Sequence, residues 1–382
     1  MSESAAKLSA IAVDMMSGDA GVSVTIDAVS RFLQSSPDSD TELVLVGDPQ
    51  QLAQQINTLS GDMRSRCQAC QVVPASEVVD MEDSTRDALR NKKDSSMRVA
   101  IDCVKDGRAA ACVSSGNTGA LLAISKFVLK TLPGIARPAI STTLPGINGH
   151  SHMLDLGANV DCTAEHLVQF AVMGSVLSGA VDSVANPSIA LLNIGSEDIK
   201  GNEQVKETAL LLEQIRDRTG LNYVGFVEGD EIYTGNVDVV VCDGFAGNVS
   251  LKSSEGVARM ISHFMRQEFT AGWPSKLAAL IARPVLKSLN RRIDPRRYNG
   301  ASLLGLQGVV IKSHGSADAL AFANAINIAR MEIEKNVPER IGENIASLLN
   351  TSAPATAEGN RSDSDSTAAS ARTTAATNSQ FD

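Results

Sequence analysis

Four times along this chain an apolar, β-branched run ends in a short turn rich in Gly, Asn and Ser. Residues 110–113 lead into Ser114-Ser115-Gly116-Asn117-Thr118-Gly119, and residues 153–156 into Gly157-Ala158-Asn159. Residues 190–192 lead into Asn193-Ile194-Gly195-Ser196, and residues 239–242 into Asp243-Gly244-Phe245-Ala246-Gly247-Asn248. Short apolar runs bounded by turn residues read as buried strands. Six further strands are expected near 11–13, 42–46, 72–73, 139–143, 223–227 and 308–311. Helical patterns fall between them, near 85–106, 118–130, 161–180, 202–219 and 316–335. Such alternation predicts an α/β fold with a largely parallel sheet covered by helices on both faces. If the strands are parallel, all four turns lie at one sheet edge, where α/β proteins build their ligand sites. Gly lets backbone N–H groups turn outward and Asn adds neutral amide donors. That chemistry suits an oxyanion.

Composition narrows the partners. The 382 residues are 43% hydrophobic but only 3% aromatic, as in an α/β core of Val, Ile, Leu and Ala. A net charge of -10 argues against general nucleic-acid binding. No apolar run approaches the roughly 18 residues of a membrane span, and residues 1–8 lack the apolar centre of a signal peptide. The expected address is the cytoplasm. Residues 1–9 and 351–382 are expected to be disordered, the tail being Ala, Ser, Thr, Asn and Asp. The body is expected at 10–350.

Absent motifs narrow the chemistry. No G-x-G-x-x-G follows a strand, no P-loop occurs, and H-E-x-x-H and G-x-S-x-G are missing. His150 and His152 fall in a Gly-rich loop without an acidic neighbour in sequence, so no metal site is expected. Cys67-Gln68-Ala69-Cys70 has redox spacing but lacks a second pair or a nearby His. Cys103, Cys112, Cys162 and Cys242 read as buried free thiols. What remains is Gly/Asn turns and a cation. Lys200, in a Gly-bounded turn before a helix, either meets phosphate or is an ordinary solvent-facing lysine.

Residues 256–297 stand apart. Val257, Met260, Ile261, Phe264, Met265 and Phe269 form one apolar helical stripe; Leu277, Leu280, Ile281, Val285, Leu286 and Leu289 form a second, with a kink expected at Pro284. Nine basic residues, Arg259 and Arg266 among them, face two acidic ones in this segment, and Trp273 lies at the tip. Three readings fit this basic amphipathic hairpin. It could pack a dimer, enter a membrane surface through Phe264, Phe269 and Trp273, or dock an acidic protein.

The chain resembles the bacterial acyl-ACP:phosphate acyltransferases of phospholipid synthesis. The likeness runs from Ile11 to Ala329. It rests on Asn91–Met97, Ser114–Ala120, Gly134–Ala139, Leu154–Asn159, Asn193–Asn202, Asp243–Asn248 and His314-Gly315-Ser316, in that order. The resemblance implies a Rossmann-like three-layer α/β/α fold. It also implies a homodimer and attack of inorganic phosphate on the thioester of an acyl carrier protein, with no cofactor and no metal. The acyl phosphate would pass to a glycerol-3-phosphate acyltransferase, favouring association with an anionic membrane. The matching blocks carry Lys200 and Asn248 as catalytic candidates. Ser115, Gly116, Asn117, Thr118, Gly157, Asn159, Asn193, Gly195, Gly201, Asp243, Gly244, Gly247 and His314 are candidates for holding phosphate or substrate. Met15, Ser17, Pro74 and Asn299 depart from the family pattern. Two alternatives stay open: a phosphate acetyltransferase acting on coenzyme A, and a non-catalytic phosphate- or acyl-binding regulator.

Overall fold

The computed structural model describes residues 9–36 and 40–352. The expected disordered ends, apart from Ser9, Thr351 and Ser352, lie outside the described residues. The described strands are β1 (Ile11–Asp14), β2 (Leu43–Gly47), β3 (Gln71–Pro74), β4 (Ala111–Ser114), β5 (Ala139–Gly146), β6 (Gly149–Leu154), β7 (Ile189–Leu192), β8 (Tyr223–Val227), β9 (Val239–Val241), β10 (Ala301–Leu304) and β11 (Val309–Lys312). The helices are α1 (Val22–Ser35), α2 (Pro49–Thr58), α3 (Gly61–Ala69), α4 (Thr85–Arg90), α5 (Ser96–Lys105), α6 (Thr118–Leu129), α7 (Ala164–Val181), α8 (Glu203–Thr219), α9 (Gly244–Thr270), α10 (Trp273–Ile293), α11 (Ala319–Glu334) and α12 (Val337–Ser352).

All eleven strands form one sheet in the order β3-β2-β1-β4-β11-β10-β5-β6-β9-β7-β8. Side chains alternate across it. Ala12, Val44, Cys112, Val310 and Val240 pack with Met97, Ile101, Leu121 and Ile124 of α5 and α6. On the other face, Ile11, Val13, Leu45 and Ile311 pack beneath α1 and α11. Leu154, Leu191 and Val241 pack on that face beneath α7 and α12. Phe32, Phe170 and Phe322 are wholly buried there, each contributing roughly 1.5–3 kcal/mol. The architecture is a three-layer α/β/α sandwich with a mostly parallel sheet.

One expectation fails here. The four turns do not share an edge. Residues 301–304, not anticipated as a strand, form β10, which pairs antiparallel with both β11 and β5; β5 in turn pairs antiparallel with β6. These antiparallel steps reverse the sheet. The turn after β4 therefore lies at one edge, with those after β1 and β11. The turns after β6, β7 and β9 lie at the opposite edge. Between β4 and β9 there are five strand spacings, roughly 24 Å at ~4.8 Å each.

Helix α9 begins at Gly244, twelve residues before the expected hairpin, and its first turn lies on the body. Beyond Gly256 it stands clear, and α10, which continues across Pro284, packs back against it. Val257, Met260, Ile261, Phe264, Leu277, Leu280, Ile281 and Val285 are half exposed or more, and Trp273 is 78% exposed. Phe269 is partly covered. Among the described residues α7 alone is long and apolar enough to cross a membrane, a correction to the expectation that no run approaches that length. Most of α7 is buried against the sheet.

Candidate active site

At the β6/β9/β7 edge the organiser is Asp155, a residue absent from the expected site. It is wholly buried directly after β6. Its Oδ1 accepts from the N–H groups of Ile140 (2.9 Å) and Ala158 (3.2 Å); its Oδ2 accepts from Asn159 N (2.7 Å) and Nδ2 (2.9 Å). Burial pushes its pKa up, by more than these four donors pull it down. One carboxylate thus fixes the Gly157-Ala158-Asn159 turn. Gly244 N donates to Asn159 O at 2.8 Å, which locks the start of α9 onto the same turn. A Cβ on Gly247 would collide with the carbonyl oxygen of Asp155, and one on Gly244 would come 2.7 Å from Asn159 O. The glycines permit backbone contact that no side chain would allow.

The β7 turn joins from the next strand. Asn193 Nδ2 donates to Gly195 O (3.0 Å) and Lys200 O (3.3 Å), closing residues 193–200 into a loop. A Cβ on Gly201, at φ +91°, would strike the Asn193 amide. Gln204 of α8 reaches Cys162 O at 2.6 Å, tying this loop to the first. Asp243 caps α9 and Asn202 caps α8. Two helix N-termini, each a source of free N–H groups and positive dipole, therefore open at one edge.

The expected amide donors divide. Asn159 and Asn193 are buried, and their amides hold loop carbonyls. Asn117 caps α6 and donates to Met81 O and Asp83 O. These three are architectural. Asn248 and Lys200 are exposed, and neither side chain has a partner among the described residues. Asn248 lies over Gly157, so that a Cβ on this glycine would stand 3.6 Å from the Asn248 Cβ. Lys200 belongs to the β7 loop, and β7 is hydrogen-bonded to β9, the strand that feeds α9.

The other edge gathers Ser115, Gly116, Thr118 and His314 with residues not anticipated. Buried Asp14 accepts from Ser114 Oγ at 2.7 Å, and Ser17 Oγ accepts from Ser115 N at 3.0 Å. Lys312 Nζ donates to Ser115 O at 2.9 Å and to Gly116 O. Burial pushes this ammonium down to about 8, against the pull of Asp14 and Asp19. A lysine closing the apolar run Val309-Val310-Ile311 was the available signal. His314, in the turn after β11, lies within electrostatic reach of Lys252 and Glu255 of α9. Helix α9 thus spans from one edge to the other.

Comparison with known proteins decides the family. The model of the family described as "Fatty acid synthesis protein" matches residues 9–340. The phosphate acyltransferase of Methylococcus capsulatus is 58% identical over 343 residues, covering 90% of this chain and 98% of that protein. The chain belongs to the phosphate acyltransferase family. The relative from Alkalilimnicola ehrlichii is 56% identical, covering 89% of this chain and 96% of its own. Among solved structures, a phosphotransacetylase from Streptococcus pyogenes superposes with a TM-score of 0.57 at 17% identity, covering 86% and 95% of the two chains. One from Staphylococcus aureus gives 0.54 at 15%, covering 86% and 94%. At such identities the likeness is one of fold.

Within this family pattern the four departures have local explanations. Met15 is buried beneath α1. Ser17 supplies the hydroxyl that anchors the Ser115 N–H. Pro74 ends β3, an edge strand where no ladder donor is needed. Asn299 donates to Ser313 Oγ and Ala321 O, both at 2.8 Å, steadying the His314 turn.

All six cysteines are free. Cys67 is buried, and burial pushes Cys70 up to about 11, far from a reactive thiolate. Cys162 is partly exposed, a correction to its expected burial.

Proposed function

We propose that this chain transfers a fatty acyl group from the thioester of acyl carrier protein to inorganic phosphate, giving an acyl phosphate. What supports this reading is that Lys200, in the β7 loop, and Asn248, beside Gly157, are exposed and without side-chain partners among the described residues, at the edge where two helix N-termini open. A phosphate oxygen attacks the thioester carbon, the carbonyl electrons move onto oxygen, and collapse expels the carrier thiolate. Lys200 neutralises phosphate. Asn248 and the free N–H groups of the Gly turns at this edge hold phosphate or the thioester oxygen. Holding both reactants in line supplies roughly 7–11 kcal/mol in favourable cases, and one oxyanion donor is worth about 3–4 kcal/mol.

Phosphate attacks directly, without an acyl-enzyme. The two thiols at this edge support that reading: burial, with Asp155 next, pushes Cys162 up to about 11 and Cys242 well above its ordinary value. The Ser115–Thr118 turn and His314, across α9, hold the carrier-linked part of the substrate. The whole chemistry sits at strand ends, and the long acyl substrate spans them.

The exposed stripes of α9 and α10 pack against a second copy, making a homodimer. Trp273 and Phe264 at the outer end meet an anionic membrane, with Phe269 beside them, while Arg259 and Arg266 attract the acidic carrier protein. The chain works in the cytoplasm against that membrane and supplies a glycerol-3-phosphate acyltransferase. Assay of the purified chain with phosphate and either palmitoyl carrier protein or acetyl-CoA tests the reaction. Acyl phosphate from the carrier substrate is expected. Turnover of acetyl-CoA alone would reject the proposal in favour of a phosphate acetyltransferase.

A further inference from the structure

His150 and His152 do not lie in a loop. Both are on β6, two residues apart, so both rings rise from one face of the strand. Above them ends α7, whose C-cap is Asp182. The two oxygens of Asp182 are divided between the rings: Oδ1 lies 2.9 Å from His150 Nε2 and Oδ2 lies 2.7 Å from His152 Nε2. One ligand atom from each of the three residues falls within 4.8 Å of the other two. The acidic partner missing from the local sequence is 30 residues further on, brought over by the helix.

We propose that His150, His152 and Asp182 form a site for a borderline divalent cation, zinc foremost, at the end of the sheet opposite Asp155. Two imidazole nitrogens and a carboxylate oxygen, at about 2.0–2.2 Å from zinc, make a three-ligand set that leaves a coordination position for water. In the metal-free arrangement ring N–H groups point at the carboxylate. On binding, each Nε2 lone pair turns to the cation and the ring proton sits on Nδ1. His152 is prepared for that exchange, because its Nδ1 lies 3.3 Å from Thr143 Oγ1, directly across the β5–β6 pair. With the ring proton on Nδ1, that hydroxyl accepts its hydrogen bond and holds the ring in the tautomer a metal requires. Ser178 Oγ, 3.2 Å from Asp182 Oδ2, steadies the carboxylate in the same way.

Access and charge agree. His152 is 4% exposed and sits at the floor, while His150 is 37% exposed and opens the site to solvent. Asp182 is mostly buried, and its two oxygens are aimed at the two rings. Asp238 lies within electrostatic reach of His150 and adds a second negative charge. The cation would clamp the β5–β6 hairpin to the end of α7. It would reinforce the frame behind the active edge without entering the reaction.

Isothermal titration of the metal-stripped full chain with zinc chloride, on protein without a histidine tag, tests this. One saturable equivalent per chain is expected. His150→Ala, which removes only the exposed ligand, should weaken it at least tenfold with an unchanged far-ultraviolet spectrum. Asp182→Asn should weaken it as well. Zinc should raise the melting temperature of the parent chain and not that of His150→Ala. A Cys67→Ser/Cys70→Ser double variant should bind like the parent. Absence of a saturable equivalent would overturn the proposal. So would an equivalent that survives His150→Ala or is lost with Cys67 and Cys70.

Discussion

Lys312 donates from its buried ammonium to the carbonyl oxygen of Ser115 at 2.9 Å, holding the turn after β4 from the strand beside it. Burial pushes that ammonium down from its ordinary 10.5 to about 8. Between those values the unfolded chain binds the proton and the folded chain does not, so this group makes stability rise with pH. The rise amounts to about 3 kcal/mol at most. Denaturant melts of the parent and Lys312→Met from pH 7.5 to 10.5 check it. The difference between the two should change with pH in that direction; a constant difference would remove Lys312 from the account.

Glu332 works in the opposite sense. It is buried on α11, accepts from Ser302 Oγ, and burial pushes it up to about 7. From about 4.5 to 7 the folded chain keeps the proton that the unfolded chain releases, so stability falls as pH rises through that window. Glu332→Gln cannot ionise. It should melt higher than the parent at pH 8, by up to about 3 kcal/mol in stability, and gain little at pH 4.5. An equal shift at both values would contradict the buried-carboxyl explanation.

Gly247 sits where a Cβ would run into the carbonyl of Asp155. The obstacle is backbone and cannot swing aside. Gly247→Ala should therefore lose about 1–3 kcal/mol and lower activity by displacing the start of α9 from the Asn159 turn. A urea midpoint identical to the parent's would show that the two segments are not in contact.

The helical pair exposes an apolar stripe that has no cover within the described residues. Leu280 and Ile281 are 63% and 75% exposed. Sedimentation should find the parent as a dimer and Leu280→Glu/Ile281→Glu as a folded monomer. Equal masses would assign the stripe to a membrane or carrier contact alone.

Much of the fold is legible in the sequence, because parallel strands buried on both faces read as short apolar runs ending in Gly and Asn. The strands at 11–14, 43–47, 111–114 and 223–227 stand close to where that pattern puts them. The polarity of the sheet is not legible. It turns on Ala301-Ser302-Leu303-Leu304, four residues without a distinctive period, and on Gly149–Leu154, where glycine and histidine disguise a strand. The cost of that omission is the single-edge site. Lys200 stands out through its Gly-bounded turn, and Asn248 through its family block. Asp155 does not, and Lys312 shows only as a lysine closing an apolar run, since a charged side chain in such a run shows its partners only after folding. Asn159 and Asn193 are recognisable by residue type, yet their amides face inward to backbone carbonyls.

In the proposed mechanism phosphate reacts at the ends of β6, β7 and β9. Its most direct test is steady-state turnover of palmitoyl carrier protein and phosphate by Lys200→Ala and Asn248→Ala, with circular dichroism to establish folding. Lys200→Ala should lower kcat at least a hundredfold and Asn248→Ala comparably, consistent with roughly 3–4 kcal/mol of lost transition-state stabilisation. Near-normal turnover in both folded variants would contradict it.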